Sequence, residues 1–532
     1  MRQIKKILSM LLAVVCFFSV CACTEASPTV PQGTPQVIVP PSPVVSGKQL
    51  DVRWARVATS TLGSGALEYL LENFSIRVKE MPLYYVQDDS AVFSLFASGY
   101  EVDIATGIST DAAKSLASEG KLLNLSNYWG KLLSYQKMWS TGRTSWDIVQ
   151  ANITHDDGNV YMLLPMSQQT PQGYIYKKSF FDERSLTFPT TLEGLYDILS
   201  AYKTEFPSSI PWMNRYEPQQ FNAILNAHGL SSNVWQQASS GNLFYLYSDS
   251  RYLSSLDWLM KFEKEGLVPT DAQGNLSQVG ADDSDYISAT KNSLQVVEYT
   301  DLYRYLSVQE LQKDTDIFSV WAQSETLISS SGYAPIIELD SPFINEAVVI
   351  AATDNEELAQ RLITFVDWLC TEEGAMWCAF GEYGKGYVFI DNQWVFLKYF
   401  NDDYTPDIDP KISGSITPDI APGRILAGVP YSKIVSSTEN KFAFGERLVA
   451  SNKYKTVLPL SFSSQFSGVG SLSELSKYYE IEEEITKITN EFIVGYRNGT
   501  YTSNDWSAYI LRLNEAGLNE YTQYMSIRAG LS

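Results

Sequence analysis

The side chains best suited to chemistry in this chain lie in one short stretch, WLCTEEGAMWC at residues 368–378. Cys370 and Cys378 flank the adjacent Glu372 and Glu373. Thiolates and carboxylates can bind a metal ion, and a thiolate can also act as a nucleophile. A zinc site, however, needs about four ligands, and the whole chain contains only two histidines. The stretch offers too few ligands, so we predict no metal site here.

The residues around this stretch predict a junction between two helices instead. The preceding segment, NEELAQRLITFVDWLC, has helical periodicity. Thr371 can cap a second helix, whose first turn would hold the two glutamates, where carboxylates offset the helix dipole. We expect Cys370 and Cys378 to be buried free thiols, and a disulfide is the alternative. The apolar positions that the first helix should bury are Leu362, Phe365, Val366 and Leu369.

The rest of the chain contains no recognisable catalytic motif. HExxH, GxSxG, a phosphate-binding loop and a GxGxxG after a strand are all absent from the sequence. His155 lies in a polar turn and His228 at a predicted helix end, and we expect both to be structural. The sequence therefore predicts a protein that is not an enzyme and has no cofactor. A glycoside-active enzyme is the alternative, because the acidic composition permits a catalytic pair of carboxylates.

The N-terminal residues 1–22 have the features of a signal peptide. Basic residues precede an apolar run at 7–20, which is too short and wrongly flanked for a stable membrane span. The following VCAC resembles the lipobox of bacterial lipoproteins, in which the cysteine after the cleavage site carries diacylglycerol. This resemblance implies lipidation of Cys23. An ordinary secretory signal is the alternative.

The segment that follows predicts a tether. Residues 24–48 contain six prolines and almost no charge, a composition that favours extended conformations and cannot bury a core. Without the basic residues of the signal, the chain carries a net charge near −25. Such a surface repels nucleic acid and anionic headgroups and mildly favours neutral ligands.

Aromatic residues are unusually frequent, with 33 Tyr, 24 Phe and 12 Trp. Tyrosine and tryptophan combine an apolar face with a polar tip, which suits stacking against sugar rings or peptide side chains. Most of them are nevertheless expected to fill the core.

Strands and helices alternate from residue 51 to residue 129. Strands are predicted at 51–60, 77–86 and 101–110, and helices at 66–74, 90–99 and from 111. This alternation predicts a parallel α/β sheet, in which ligands bind beyond the carboxyl ends of the strands. The candidate ligand contacts at that edge are Thr59, Ser60, Ser109 and Asp111. Asp111 could equally serve as a helix cap.

Residues 158–199 contain, in this order, GNVYMLLP, GYIYKKSFFD and FPTTLEGLYDIL. This order resembles the bacterial family 1 extracellular solute-binding proteins, the ligand receptors of ABC sugar importers. The closest likeness is to the large LplA-type lipoproteins of Gram-positive bacteria. Further blocks agree with the same family order, and with the lipobox they cover nearly the whole chain after the signal. These blocks lie at residues 252–271, 332–387, 458–466 and 505–530.

The resemblance implies an α/β, two-lobed periplasmic-binding-protein-like fold with a hinge, a ligand cleft and a helical C-terminal part. Ligand contacts made mainly in the closed state would drive the lobes together. The expected organisation is a lipoprotein signal peptide at 1–22, the lipidated cysteine and Pro-rich linker at 23–49, the first part of the N-terminal lobe at 50–165, the first part of the second lobe at 166–320, a return to the N-terminal lobe at 321–400, and the hinge return with the C-terminal helices of the second lobe at 401–532.

Further candidate ligand contacts follow from the resemblance. Relatives place aromatic and polar groups of the second lobe's cleft face where this chain has Trp212, Asn214 and Tyr216. Gln168 and Gln169 lie in the segment MSQQTPQG, which should cross the hinge. For each of these residues, core packing or an ordinary surface role is the alternative.

Two tyrosines are candidates because of their position beside a predicted strand. Tyr299 lies at the end of NSLQVVEYT and Tyr303 follows it, so both could stack on a sugar ring. Many larger relatives also carry an Asp-rich calcium loop after the helix equivalent to LEGLYDILSAYK. Here that stretch is TEFPSSIPW at 204–212, with one acidic residue, so we predict no calcium there.

Together these features predict an extracellular, lipid-anchored substrate-binding protein of an ABC importer. It would bind an oligosaccharide between its lobes as a monomer and deliver it to the membrane permease. A glycan-binding adhesin or a sensor-associated binding protein is the alternative. The ligand could also be a peptide or another nutrient.

Overall fold

The computed structural model describes most of the chain from residue 45 onward. The described residues are 45, 47–57, 62, 64–83, 90–97, 102–140, 146–166, 171–213, 219–277, 295–301, 321–339, 343, 346–380, 387–390, 392–396, 434–435, 451, 453–457, 459–460, 472–529 and 531. The predicted signal peptide and Cys23 lie outside these ranges. Within them, no helix is long and apolar enough to span a membrane.

Helices form the larger part of the described secondary structure. They are α1 (Ser64–Phe74), α2 (Ser90–Ala97), α3 (Thr110–Ser118), α4 (Leu133–Ser140), α5 (Trp146–Ile153), α6 (Lys178–Glu183), α7 (Leu192–Glu205), α8 (Gln220–Ala227), α9 (Ser250–Lys264), α10 (Glu356–Trp368), α11 (Glu372–Phe380), α12 (Leu472–Arg497), α13 (Trp506–Glu515) and α14 (Leu518–Arg528). Short 3-10 helices lie at Leu125–Lys131, Leu246–Ser248 and Ser503–Asp505.

The strands are shorter and belong to several sheets. They are β1 (Leu50–Val57), β2 (Ile76–Leu83), β3 (Ile104–Ile108), β4 (Met162–Leu163), β5 (Gln172–Lys177), β6 (Trp235–Gln237), β7 (Leu243–Tyr245), β8 (Val297–Asp301), β9 (Trp321–Ser324), β10 (Ile336–Glu338), β11 (Ala347–Ile350), β12 (Tyr387–Ile390), β13 (Gln393–Phe396), β14 (Ile434–Val435) and β15 (Lys455–Val457).

The first lobe is built on a five-stranded sheet of order β2-β1-β3-β11-β4. β1 pairs in parallel with β2 and with β3, as the alternation of strands and helices predicted. β11 runs antiparallel between β3 and β4, so the sheet is mixed. One continuous apolar core covers it and includes Trp54, Leu70, Phe365 and Val366, all nearly inaccessible to solvent.

The second lobe contains a three-stranded antiparallel sheet of order β8-β5-β9, packed against α6–α9. The C-terminal helices α12–α14 form a second apolar cluster with the hairpin β6–β7 and with Leu253 of α9. Arg497, near the end of α12, forms an ion pair with Glu263 of α9 at 2.8 Å. The C-terminal helical part therefore packs on the second lobe.

Within the described residues, two of the segments that connect the lobes lie side by side. Met166 pairs with Phe343, and Pro171 pairs with Leu339, both in antiparallel bridges. β9 pairs with β5 in the second-lobe sheet, whereas the sequence analysis expected residues 321–400 to lie in the first lobe. We call the described residues of 164–171 and of 339–346 the two crossing segments.

The stretch with two cysteines and two glutamates is a helix junction. α10 ends at Trp368 and α11 begins at Glu372, and Thr371 Oγ1 accepts a hydrogen bond from Gly374 N at 3.1 Å. Cys370 and Cys378 are buried free thiols, as predicted. All four apolar positions expected to be buried are at most 2% exposed: Leu362, Phe365, Val366 and Leu369.

The glycine of this junction has a steric role. A Cβ at Gly374 would lie 2.3 Å from Trp368 O and 2.7 Å from Leu369 Cα, both backbone atoms. Any side chain at this position would force the two helices apart. The EEG sequence therefore reflects close backbone packing between α10 and α11.

Candidate functional site

At the carboxyl edge of the first-lobe sheet, the structure describes Ser109 and Asp111. Ser109 follows β3 and caps α3, because its Oγ accepts a hydrogen bond from Ala112 N at 3.0 Å. Asp111 lies in the first turn of α3 with an exposed side chain. Thr59 and Ser60, the other two predicted contacts at this edge, lie outside the described residues.

A buried ion pair joins β1 and β2 near their carboxyl ends. Arg56 on β1 and Glu80 on β2 approach within 2.9 Å, and their side chains are only 4% and 11% exposed. Glu80 Oε2 also accepts a hydrogen bond from Leu62 N at 2.7 Å. The ion pair therefore holds the backbone of Leu62 to the sheet. The sequence analysis missed it, although the arginine inside the apolar strand RWARV was a signal.

In the second lobe, Trp212 and Tyr299 lie inside the core. Both are 0% exposed, and both rings pack against Tyr174 of β5, with ring centroids 5.9 and 4.9 Å away. Burial raises the pKa of the Tyr174 hydroxyl well above its usual value. That Trp212 and Tyr299 contact a ligand stays a prediction, and in this structure both side chains pack inside the core.

Tyr299 is oriented by a buried hydrogen-bond network. Its hydroxyl and the side-chain amide of Asn226 are 2.6 Å apart. With the amide oxygen accepting from Tyr299, the amide nitrogen lies 2.9 Å from Leu230 O and 3.3 Å from Glu338 Oε2. Glu338 also accepts hydrogen bonds from Ser232 N and Oγ. This hydrogen-bond network links the end of α8 to β8 and β10.

The direction of the chain at Trp212 bears on the neighbouring candidates. Trp212 forms a parallel bridge with Val297, the first residue of β8. The far end of β8 pairs with the beginning of β5, where Asp301 lies opposite Gln172, next to the crossing segments. The other predicted contacts of this lobe and the hinge lie outside the described residues: Gln168, Gln169, Asn214, Tyr216 and Tyr303.

One surface cluster has the residue types of a hydrolase triad. Ser118 Oγ lies 3.0 Å from His155 Nε2, and His155 Nδ1 lies 3.4 Å from Asp157 Oδ1. The Ser118 hydroxyl, however, also lies 3.0 Å from Lys114 O, to which it donates, so its proton is not offered to the imidazole. Hydrogen bonds from Asn159 hold the pKa of Asp157 well below its usual range. The cluster is a hydrogen-bonded surface turn and lacks the proton path that a nucleophilic serine needs.

The second histidine has a clear structural setting. His228 is 1% exposed and its Nδ1 lies 2.8 Å from Ile224 O, one turn earlier on α8. Burial lowers the pKa of the imidazole, which favours the neutral form. Among the residues that the structure describes, no three His, Cys, Asp or Glu side chains are grouped so that they could hold a metal ion.

Two α/β lobes joined by paired crossing segments, with helices at the C-terminal end, define a periplasmic-binding-protein-like fold. Solved structures with this fold match nearly the whole chain. The alginate-binding protein AlgQ2 is 16% identical with a TM-score of 0.61, and the match covers 92% of this chain and 99% of that one. An HMO-binding, ABC-transporter-associated solute-binding protein from Bifidobacterium longum infantis is 16% identical with a TM-score of 0.62, covering 91% and 99%.

A third similar structure is the S. pneumoniae ABC-transporter substrate-binding protein FusA in complex with kestose. It is 15% identical with a TM-score of 0.57, covering 91% of this chain and 99% of that one. At these identities the likeness shows a shared fold. No family model matches the chain, and no curated protein matches it either.

Proposed function

We propose that this protein is a family 1 extracellular solute-binding protein that receives an oligosaccharide for an ABC importer. The observation that carries the proposal is the two-lobed fold, shared over more than nine-tenths of the chain with proteins whose names specify alginate, HMO or kestose as ligand. The ligand would lie between the lobes and be released to a membrane permease. No covalent chemistry is involved.

Two described features support a place for such a ligand. Asp111 is exposed beyond the carboxyl end of β3, and the end of β8 lies beside the crossing segments. We propose that Asn214, Tyr216 and Tyr303 supply stacking and hydrogen bonds there, opposite Thr59, Ser60 and Asp111.

A thermal-shift screen of the protein against a glycan library tests the ligand class. A binder present at 100 times its Kd should stabilise the protein by about 2.7 kcal/mol. Tyr303→Ala should weaken the response to the best glycan about tenfold or more, because it removes a stacking ring. Tyr479→Ala is the matched control, since Tyr479 is 66% exposed on the C-terminal helix α12. If peptides shift the melting temperature and no glycan does, the oligosaccharide proposal fails.

We further propose that Cys23 carries the lipid that anchors the protein on the outer face of the bacterial membrane. The basic n-region, the apolar run and the VCAC sequence support this. Cells that express the full chain should incorporate labelled palmitate, and Cys23→Ala should abolish the label. Cys21→Ala is the control and should leave the label unchanged. Labelling that survives Cys23→Ala would refute this anchor site.

A further inference from the structure

Helix α4 contacts both crossing segments with two side chains on one face. Tyr135 and Trp139 are one helical turn apart and both are 0% exposed. Tyr135 Oη accepts a hydrogen bond from Leu164 N at 3.2 Å, at the beginning of the first crossing segment. The Trp139 ring stacks on Phe343 of the second crossing segment, with centroids 5.2 Å apart and planes inclined by 27°.

The two crossing segments are also joined to each other at this point, because Phe343 pairs with Met166. The first segment is thus held through Leu164 and the second through Phe343, both by the same helix. A rotation between the lobes moves backbone in both segments at once. Helix α4 therefore lies where it can resist that rotation.

Helix α4 itself belongs firmly to the first lobe. Asp367 Oδ1 on α10 accepts hydrogen bonds from Ser134 N at 2.8 Å and from Tyr135 N at 3.1 Å. These bonds satisfy two of the N–H groups that a helix leaves unpaired at its first turn. Asp367 lies three residues before Cys370. The residue that caps α4 therefore belongs to the same stretch as the junction between α10 and α11.

We propose that Tyr135 and Trp139 form a latch that holds both crossing segments to the first lobe in the ligand-free protein and so fixes the resting angle between the lobes. The inference rests on the proposed function, because a resting angle matters only in a protein whose lobes close on a ligand. The latch acts on position alone: neither side chain touches the ligand. Loss of the latch should therefore increase the motion of both crossing segments.

Hydrogen exchange of the ligand-free, full-length protein tests the latch. Trp139→Leu removes the stacking ring and keeps an apolar side chain. Exchange in peptides spanning residues 160–172 and 336–350 should become about threefold to tenfold faster, the effect expected for losing one aromatic pair. Trp139→Phe keeps a ring against Phe343 and should restore most of the protection.

Trp377→Leu is the matched control. Trp377 is 2% exposed in the same core, where it packs on Tyr69 and Trp368 away from the crossing segments. If Trp139→Leu accelerates exchange in the two crossing peptides no more than Trp377→Leu does, the latch is refuted. If Trp139→Leu does not fold, the same exchange measurement on Tyr135→Phe tests the latch. This variant deletes only the hydroxyl that accepts from Leu164 N. Unchanged exchange at residues 160–172 in that variant also refutes the latch.

These measurements need no ligand, so they separate this inference from the proposed function. A protein in which no glycan slows exchange in the crossing segments, but in which Trp139→Leu selectively accelerates it, would keep the latch and lose the oligosaccharide proposal. If a glycan slows exchange in the crossing segments but Trp139→Leu does not selectively accelerate it, the oligosaccharide proposal stands and the latch is refuted.

Discussion

In the first-lobe sheet, Arg56 and Glu80 lie buried as a charged pair on neighbouring strands, whereas in the second-lobe sheet the facing residues Tyr174 and Tyr299 are buried and neutral. The two arrangements differ in what remains when one partner is removed. Loss of Arg56 leaves an uncompensated buried carboxylate, while loss of a tyrosine hydroxyl leaves an amide without one partner. The second-lobe sheet should therefore tolerate changes in these polar groups better than the first-lobe sheet.

The sharpest test of this difference is Arg56→Met. We expect the free energy of unfolding to fall by about 3–5 kcal/mol, because Glu80 would stay buried without its cation. Urea denaturation followed by tryptophan fluorescence measures the change. Arg77→Met is the control: Arg77 and Asp51 are paired at 3.5 Å with both side chains more than half exposed, so the loss should stay below about 1 kcal/mol. Equal losses in the two variants would contradict the comparison.

A smaller effect is expected in the second lobe from Tyr299→Phe. The variant removes the hydroxyl that bonds Asn226 and should cost about 1–3 kcal/mol in unfolding free energy. Tyr174→Phe is its matched control, since no residue within the described ranges hydrogen-bonds the buried Tyr174 hydroxyl. Its deletion should change the stability by less than about 0.5 kcal/mol. A larger cost for Tyr174→Phe than for Tyr299→Phe would show that another group bonds Tyr174.

Removing a helix cap should lower the free energy of unfolding by the same amount in either lobe, because the capping interaction is local. Thr371 Oγ1 accepts from Gly374 N in the first lobe, and Thr191 Oγ1 accepts from Gly194 N in the second, both at 3.1 Å. Alanine at either position should lower the free energy of unfolding by about 1 kcal/mol. Differential scanning calorimetry of the two variants compares them directly. A clear difference would mean that lobe context, and not capping alone, sets the value.

The smallest effect at neutral pH is expected for Asp367→Asn. Burial raises the pKa of Asp367, so the folded protein holds its proton more tightly than the unfolded chain. The carboxyl's ionisation therefore costs stability as the pH rises through the folded pKa. The Asn side-chain oxygen can accept both hydrogen bonds from α4 without a charge. At pH 7 the variant should be as stable as wild type or slightly more so, and this advantage should vanish in acid. A variant that is less stable at pH 7 than at pH 4, relative to wild type, would contradict this.

The sequence was informative where structure depends on local signals. The helix junction, its buried apolar positions and the cap at Thr371 followed from periodicity and side-chain chemistry over a few residues. The parallel pairing of β1 with β2 and β3 followed from the alternation of strands and helices. These features are encoded within single turns or single supersecondary units.

The remaining features depend on residues distant in the chain. The antiparallel insertion of β11 and the pairing of β9 with β5 join segments with no local signal for their partners. Aromatic composition alone also cannot distinguish a cleft from a core, because stacking on a sugar and packing on a neighbouring ring favour the same side chains. Trp212 was predicted as a ligand contact from the family resemblance and Tyr299 from its position beside a strand, and both are fully buried.

The place of β11 in the first sheet has a consequence for folding. β11 lies between β3 and β4, so that sheet cannot be completed until the whole described part of the second-lobe sheet has been synthesised. Until then β3 and β4 lack their shared partner and present unpaired edges, which invite aggregation. We therefore expect the first-lobe sheet, although it begins first, to form after the second-lobe sheet. Sheets that depend on such distant pairing fold slowly, so the rate of refolding should be set by β11 finding its place.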